Sequence, residues 1–215
     1  TALRENSEIF LVSQLKPETE EPGFDDIYMV GAIATIKQMH KRKDGIVSLF
    51  VEGLFRGKIV SWEDDSKEYL SALVERMDSI DDLDNEDEKE AYIGYIKDLF
   101  KKYAQHYPKV GKGLVSHFDT IKKPGVLADQ IVAGMPIPYM KKQDILETLS
   151  ISERVESVAV ILSNEINLAT IKSDMATKVK ERIDKHQKEY ILREQMGFIK
   201  EELGYTNKMP ELDRY

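Results

Sequence analysis

An α+β protein, with a small antiparallel sheet or barrel in front, a helical part behind it and one very long helix at the end, is what this sequence of 215 residues predicts. Three observations carry that expectation. Apolar residues alternate with a period of two through much of the stretch from Ile27 to Met77, and from Tyr92 the period changes to about 3.6. From Tyr139 to Met196, 58 residues then pass without Gly or Pro, although the chain holds 12 and 7. At that average frequency such a gap arises with a probability of roughly one in two hundred.

The elements follow in order. Ile9 to Val12 is a short apolar run closed by Pro17, and the Glu/Pro/Gly-rich stretch from Glu18 to Asp26 is a loop. Ala32 to Met39 and Ile46 to Val51 read as two strands, and Asp44-Gly45 between them is a hairpin signal, because Gly supplies positive φ without steric cost. Lys58 to Trp62 and Tyr69 to Met77 extend the meander. Tyr92, Tyr95, Ile96, Leu99, Phe100 and Tyr103 mark one face of an amphipathic helix ending near Pro108. Val110 to Gly113 reads as a Gly/Lys loop, and Val126 to Ala133 as a short helix stopped by Gly134 and Pro136. Ser150 and Glu153 have capping-box spacing and open the long helix, for which Gly204 is the stop. The expected organisation is therefore a β-domain over 1–80, a helical subdomain over 81–149, a long helix over 150–204 and a tail over 205–215.

The 53 residues from Ile151 to Leu203 would extend about 80 Å as one helix, more than twice the diameter of a small domain, so most of this helix has to find a partner outside its own fold. Its seams are narrow. Leu168, Ile171, Met175, Val179 and Ile183 step by three or four, as do Leu192, Met196, Ile199 and Leu203, a coiled-coil type of spacing. Leu168, Ile171, Met175, Val179, Leu192, Ile199 and Leu203 are accordingly the candidates for self-association. Tyr190, Met196 and Phe198 are candidates for contact with a polypeptide substrate, since the thioether adapts to many shapes and aromatic rings offer large area at little entropy cost. A packed seam is the competing expectation for these three.

Charge and composition exclude much else. The net charge of −8 disfavours a nucleic-acid backbone or an anionic membrane, and no run of 18 apolar residues spans a bilayer. With no Cys there is no disulfide framework, thiolate nucleophile or Cys-ligated zinc, and the first residues lack a secretory pattern, so the chain reads as soluble and unsecreted. Between Glu63 and Glu90 stand 13 acidic residues against 3 basic ones, a solvated linker that runs into the acidic first turn of a helix. A calcium loop beginning at Asp82 fails, because Asp87 stands where Gly is needed and Ile93 where a bidentate Glu is needed. Gly53 to Ile59 is one residue short of a phosphate-binding loop and ends without a hydroxyl, so it reads as a strand boundary. His40, His106, His117 and His186 are scattered without metal spacing, and no Gly-x-Ser-x-Gly elbow occurs. No catalytic, cofactor-binding or metal-binding residue is expected in this chain.

Gln187 to Met196, continuing through Ile199, Lys200, Glu201, Glu202, Leu203 and Gly204, resembles the segment that ends the N-terminal region of Lon, the ATP-dependent AAA+ serine protease. Further blocks follow in that family's order: Val30-Gly31 with Ile36 and Gln38; Val51-Glu52-Gly53-Leu54 with Arg56; Leu127-Ala128-Asp129 to Pro136; and Lys142 to Leu149. The resemblance implies a PUA-like β-barrel, here incomplete at its N-terminus, then a helical subdomain and a long helix leading to an ATPase. It further implies a non-catalytic region that recruits unfolded or damaged proteins and helps to assemble a homo-oligomer, a hexamer in the full-length protease. ATP and Mg²⁺ would belong to the downstream part only, and the location would be the cytoplasm, or the mitochondrial matrix for a eukaryotic source. A free-standing PUA-like module that recognises RNA is the alternative, and the absence of a basic stripe counts against it.

Overall fold

The computed structural model of the chain describes residues 8–41, 46–63 and 70–204. Two compact units divide it, residues 1–163 and 164–215. The first holds β1 (Glu8–Leu11), a 3₁₀ turn (Phe24–Asp26), β2 (Val30–Lys41), β3 (Val47–Trp62) and β4 (Ala72–Met77). There follow α1 (Glu86–His106), α2 (Pro108–Asp119), α3 (Pro124–Gly134), α4 (Tyr139–Glu147) and the start of α5 (Ile151–Glu202).

The alternating segments form one antiparallel sheet in the order β1-β2-β3-β4. It is open rather than closed into a barrel, with β1 and β4 as its edges among the described residues. The turn expected at Asp44-Gly45 lies outside the described residues. Ile46–Val51 and Lys58–Trp62, read from the sequence as separate runs, are parts of the single strand β3, so Gly53 to Ile59 runs through the strand instead of bounding it. Gly57 belongs there for a steric reason. It stands opposite Gly31 on β2, and the ring of Phe10 lies against both. A Cβ on Gly57 would come 2.6 Å from Val74 Cγ1, and one on Gly31 would collide with the Leu11 carbonyl and come 2.8 Å from Phe10 Cζ.

Most of the core lies in the helical layer. Asn85 caps α1 by accepting from the Glu88 amide at 2.8 Å, and the expected stripe buries Ile96, Phe100 and Tyr103 but leaves Tyr95, also read as part of it, exposed. Val110 to Gly113, expected as a loop, lies inside α2. Glycine in a helix interior costs about 1 kcal/mol, whereas burying a large apolar side chain returns about 1.5–3 kcal/mol. The packing of Phe118, edge-on to Phe100 at 4.8 Å, outweighs the local penalty. Pro124 opens α3, where its missing N–H is harmless, and Leu127, Ala128, Ile131 and Val132 are buried. Val155, Val158, Ala159 and Leu162 of α5 complete the layer, while the sheet contributes Val30, Ala34 and Ile59.

The Ser150 hydroxyl accepts from the Glu153 amide at 3.1 Å, so α5 opens on the cap expected from the sequence. Helix α5 ends at Glu202, and Gly204 follows with φ +71°, the left-handed conformation that glycine adopts freely. In the second unit Leu168, Ile171, Met175, Val179 and Ile183 are all exposed. Among the described residues Glu189 turns back to Lys185 at 4.0 Å and to His186 at 3.6 Å.

Candidate functional site

In the first unit a cleft of about 490 Å³ opens between the sheet and the helices α3 and α4. A bulge shapes its sheet wall. Ile33 stands opposite Phe55 and Ala34 opposite Gly53, so Leu54 is an extra residue on β3 and lines the cleft with Phe55 and Arg56. Val132 and Ala133 of α3, with Ile145 and Leu146 of α4, supply apolar walls, and Tyr139, Lys142 and Gln143 supply polar ones. The Tyr139 hydroxyl donates to the Leu15 carbonyl at 2.9 Å, Lys142 donates to the Ala133 carbonyl at 3.1 Å, and Gln143 donates to the Val30 carbonyl at 2.8 Å.

Behind this wall two guanidiniums share one carboxylate. Arg56 donates to Asp129 at 2.6 Å and to the Leu146 carbonyl at 2.9 Å. Arg154 reaches the other Asp129 oxygen at 3.3 Å and also donates to the carbonyls of Thr148 (2.9 Å) and Leu149 (3.1 Å) and to the Ser79 hydroxyl (3.0 Å). Only 1% of Arg154 is exposed. Burial pushes its pKa down from the usual value, and Asp129 opposes that shift. The bond set shows why the charge survives inside: each acceptor replaces water that the fold removes.

The same segment clasps the root of α5. Ile80 pairs with Ser150, its amide donating to the Leu149 carbonyl and its carbonyl accepting from the Ile151 amide, both at 3.0 Å. Asp82, rejected as the start of a calcium loop, accepts from the hydroxyls of Ser150 (2.5 Å) and Ser152 (2.6 Å) and from the Ser152 amide (3.0 Å). These bonds hold its carboxyl well below the usual carboxylate range. Among the described residues no group of three or more His, Asp or Glu side chains is placed to hold a metal ion. His117 instead meets Gln130 at 2.9 Å.

The sequence candidates lie in the second unit. Tyr190, Met196 and Phe198 are 65%, 57% and 69% exposed, and Leu192, Ile199 and Leu203 are exposed with them. They are therefore accessible within this chain, the condition that substrate contact requires. The sequence reading missed Arg154 and the cleft. One signal was present: Arg154 sits four and eight residues before Val158 and Leu162, a charge on an apolar stripe.

An open antiparallel sheet backed by helices, then a long helix, defines the class of fold. It is the fold of "N terminal domain of Mycobacterium avium complex Lon protease", to which the chain is similar with a TM-score of 0.54 and 22% identity over 66% of this chain and 74% of that one. At sequence level, residues 1–164 match the ATP-dependent protease La (LON) substrate-binding domain, and the chain belongs to that family. It is 34% identical over 210 residues to the Lon proteases of Lachnoclostridium phytofermentans and of Escherichia coli K12, covering 98% of this chain and 26% of either relative. It is likewise 34% identical to Lon protease 1 of Bacillus subtilis over 94% of this chain and 26% of that protein. The chain thus spans about a quarter of the length of these relatives, and the matched family is the substrate-binding domain rather than the ATPase or proteolytic part.

Proposed function

We propose that this chain captures unfolded or damaged polypeptides for degradation by a Lon-type ATP-dependent protease and performs no catalysis itself. Membership of the substrate-binding family supports polypeptide binding. The observation that carries the choice of surface is the exposure of Tyr190, Met196 and Phe198 within nine residues of one helix. An unfolded chain offers apolar segments without fixed shape, and flexible thioether and aromatic side chains suit such a ligand. The exposed seams from Leu168 to Val179 and from Leu192 to Leu203 support self-association in a homo-oligomer, a hexamer in the complete protease. ATP and Mg²⁺ act in the ATPase part of that protease, in the cytoplasm. RNA recognition has weaker support, since Arg56 and Arg76 on the sheet are each paired with an aspartate, Asp129 and Asp78.

The test is fluorescence anisotropy with a labelled, reduced and carboxymethylated protein that cannot refold. Saturable binding is expected, and Tyr190→Ser with Phe198→Ser should weaken it about tenfold, equivalent to about 1.4 kcal/mol, with helix content unchanged by circular dichroism. Unaltered affinity would overturn this choice of residues.

A further inference from the structure

We infer that the groove between α1 and the root of α5 takes an arginine side chain of a bound polypeptide, held between the ring of Tyr95 and the carboxylate of Glu156. This rests on the polypeptide-binding reading above and adds a sequence preference to it.

The groove is a cavity of about 310 Å³ lined by Ala91, Tyr92 and Tyr95 of α1 and by Val155 and Glu156 of α5, all within the first unit. Its two tyrosines are engaged differently. Tyr92 is half-buried, and its hydroxyl donates to Glu156 Oε1 at 3.0 Å, which holds that carboxylate at the cavity. Glu156 is exposed, and among the described residues its other oxygen has no partner. Tyr95 belongs by its spacing to the stripe that buries Ile96, Phe100 and Tyr103, yet it is 58% exposed and makes no hydrogen bond or ring contact among the described residues. The fold thus leaves an aromatic face and an open carboxylate oxygen lining one small cavity whose other walls are apolar.

The surrounding charges select a cation. The pKa of Tyr92 is raised by its hydrogen bond to Glu156, by burial, and by the charges of Glu156, Glu88 and Asp82. Asp82 stays ionised, since Ser150 and Ser152 hold its pKa well below the usual range. The cations of α1 and of the root of α5 are engaged elsewhere. Lys89 meets Asp81 at 2.9 Å and Glu86 at 3.4 Å, Lys97 and Lys101 reach Asp119 on α2, and Arg154 is buried against Asp129. Lys102 shares a helix face with Tyr95 but lies seven residues on, about 10 Å along the axis, where screening over about 8–10 Å weakens it. Three carboxylates therefore act on the groove against one remote lysine. Arginine is the matching side chain, because its planar guanidinium stacks on a tyrosine ring while it donates to a carboxylate, and its methylene stem covers apolar surface such as Ala91 and Val155.

The probe is a labelled, end-capped decapeptide containing Leu-Arg-Leu twice, compared with its Lys and Gln counterparts by anisotropy on the full chain. The Arg peptide should bind about tenfold more tightly than the Gln peptide, with the Lys peptide between them. Glu156→Gln keeps an acceptor for Tyr92 and removes the charge, and Tyr95→Leu keeps the apolar bulk and removes the aromatic face; each should cut the Arg preference at least about threefold. Glu90→Gln changes the net charge equally at an exposed position two residues before Tyr92, on another face of α1, and should leave the preference intact, which separates this groove from the overall charge of −8. Equal affinity for the Arg and Gln peptides, a Lys peptide as tight as the Arg peptide, or a preference that survives both groove variants would overturn the inference. A lower apparent mass of Tyr95→Leu in sedimentation, with peptide binding unchanged, would assign the groove to a second copy of the chain and overturn it too. The carboxymethylated protein titrated in parallel separates the two claims: its binding without an Arg preference among the peptides removes only the groove, and failure of every probe to bind removes the polypeptide-binding reading as well.

Discussion

Replacing Asp129 by Asn keeps the size of the side chain and removes the one carboxylate that Arg56 and Arg154 share. Breaking a buried ion pair costs about 3–5 kcal/mol, because the remaining charge is left uncompensated. Two features of this site reduce that figure. Asp129 is 35% exposed by its side chain, and Arg154 keeps three neutral acceptors at Ser79, Thr148 and Leu149. The expected loss is therefore about 2–3 kcal/mol, a large part of a domain's usual stability of about 5–15 kcal/mol but compatible with folding. Urea unfolding followed by fluorescence measures it, since Trp62 is the single tryptophan and its ring lies 4.4 Å from that of Phe24 within the first unit. Adding Arg154→Met removes the stranded cation, so the double variant should lose less than the sum of the two single ones by about 1 kcal/mol or more. A loss below about 0.5 kcal/mol for Asp129→Asn, or additive single effects, would refute the view that this charge triad holds the unit together.

Other outcomes follow from the same geometry. Gly31→Ala forces a methyl group against Phe10 and the Leu11 carbonyl and should cost about 1–3 kcal/mol in the same unfolding assay, as overpacking does. Asp82 has a folded pKa below its unfolded one, so its contribution is complete above the unfolded value of about 4 and fades as pH falls towards the folded value. The stability gap between the unmodified chain and Asp82→Asn should accordingly narrow between pH 5 and pH 2, and a gap that stays constant would contradict the role given to Ser150 and Ser152. Ile171→Asp with Val179→Asp should lower the apparent mass in sedimentation at high concentration, and an unmodified chain that sediments as a monomer would contradict assembly through that seam.

Local signals were readable in the sequence where the structure is local. The α1 stripe of Ile96, Phe100 and Tyr103, the Ser150 cap and the Gly204 stop each depend on residues within a turn or two, and each stands where the spacing placed it. Glycine misled in both directions. Gly111 and Gly113 suggested a loop, although α2 is held in place by Phe118, and Gly53 and Gly57 suggested a strand boundary, although Gly57 makes room for Phe10 from another strand. The cleft escaped because its polar groups are held by partners from distant parts of the chain: Arg56 lies 73 residues from Asp129, and Gln143 lies 113 from Val30. No short-range pattern reports such pairings. Arg154 on the stripe of Val158 and Leu162 was the one legible trace of a buried charge, and it does not name its partner.

Recognition of unfolded polypeptide is the central claim, and one comparison tests it most directly. The chain is titrated, under identical conditions, with a single labelled protein in its native disulfide-bonded form and in its reduced, carboxymethylated form. Saturable binding of the unfolded form and none of the native form is the predicted result. Equal affinity for the two forms, or binding to neither, would contradict the account.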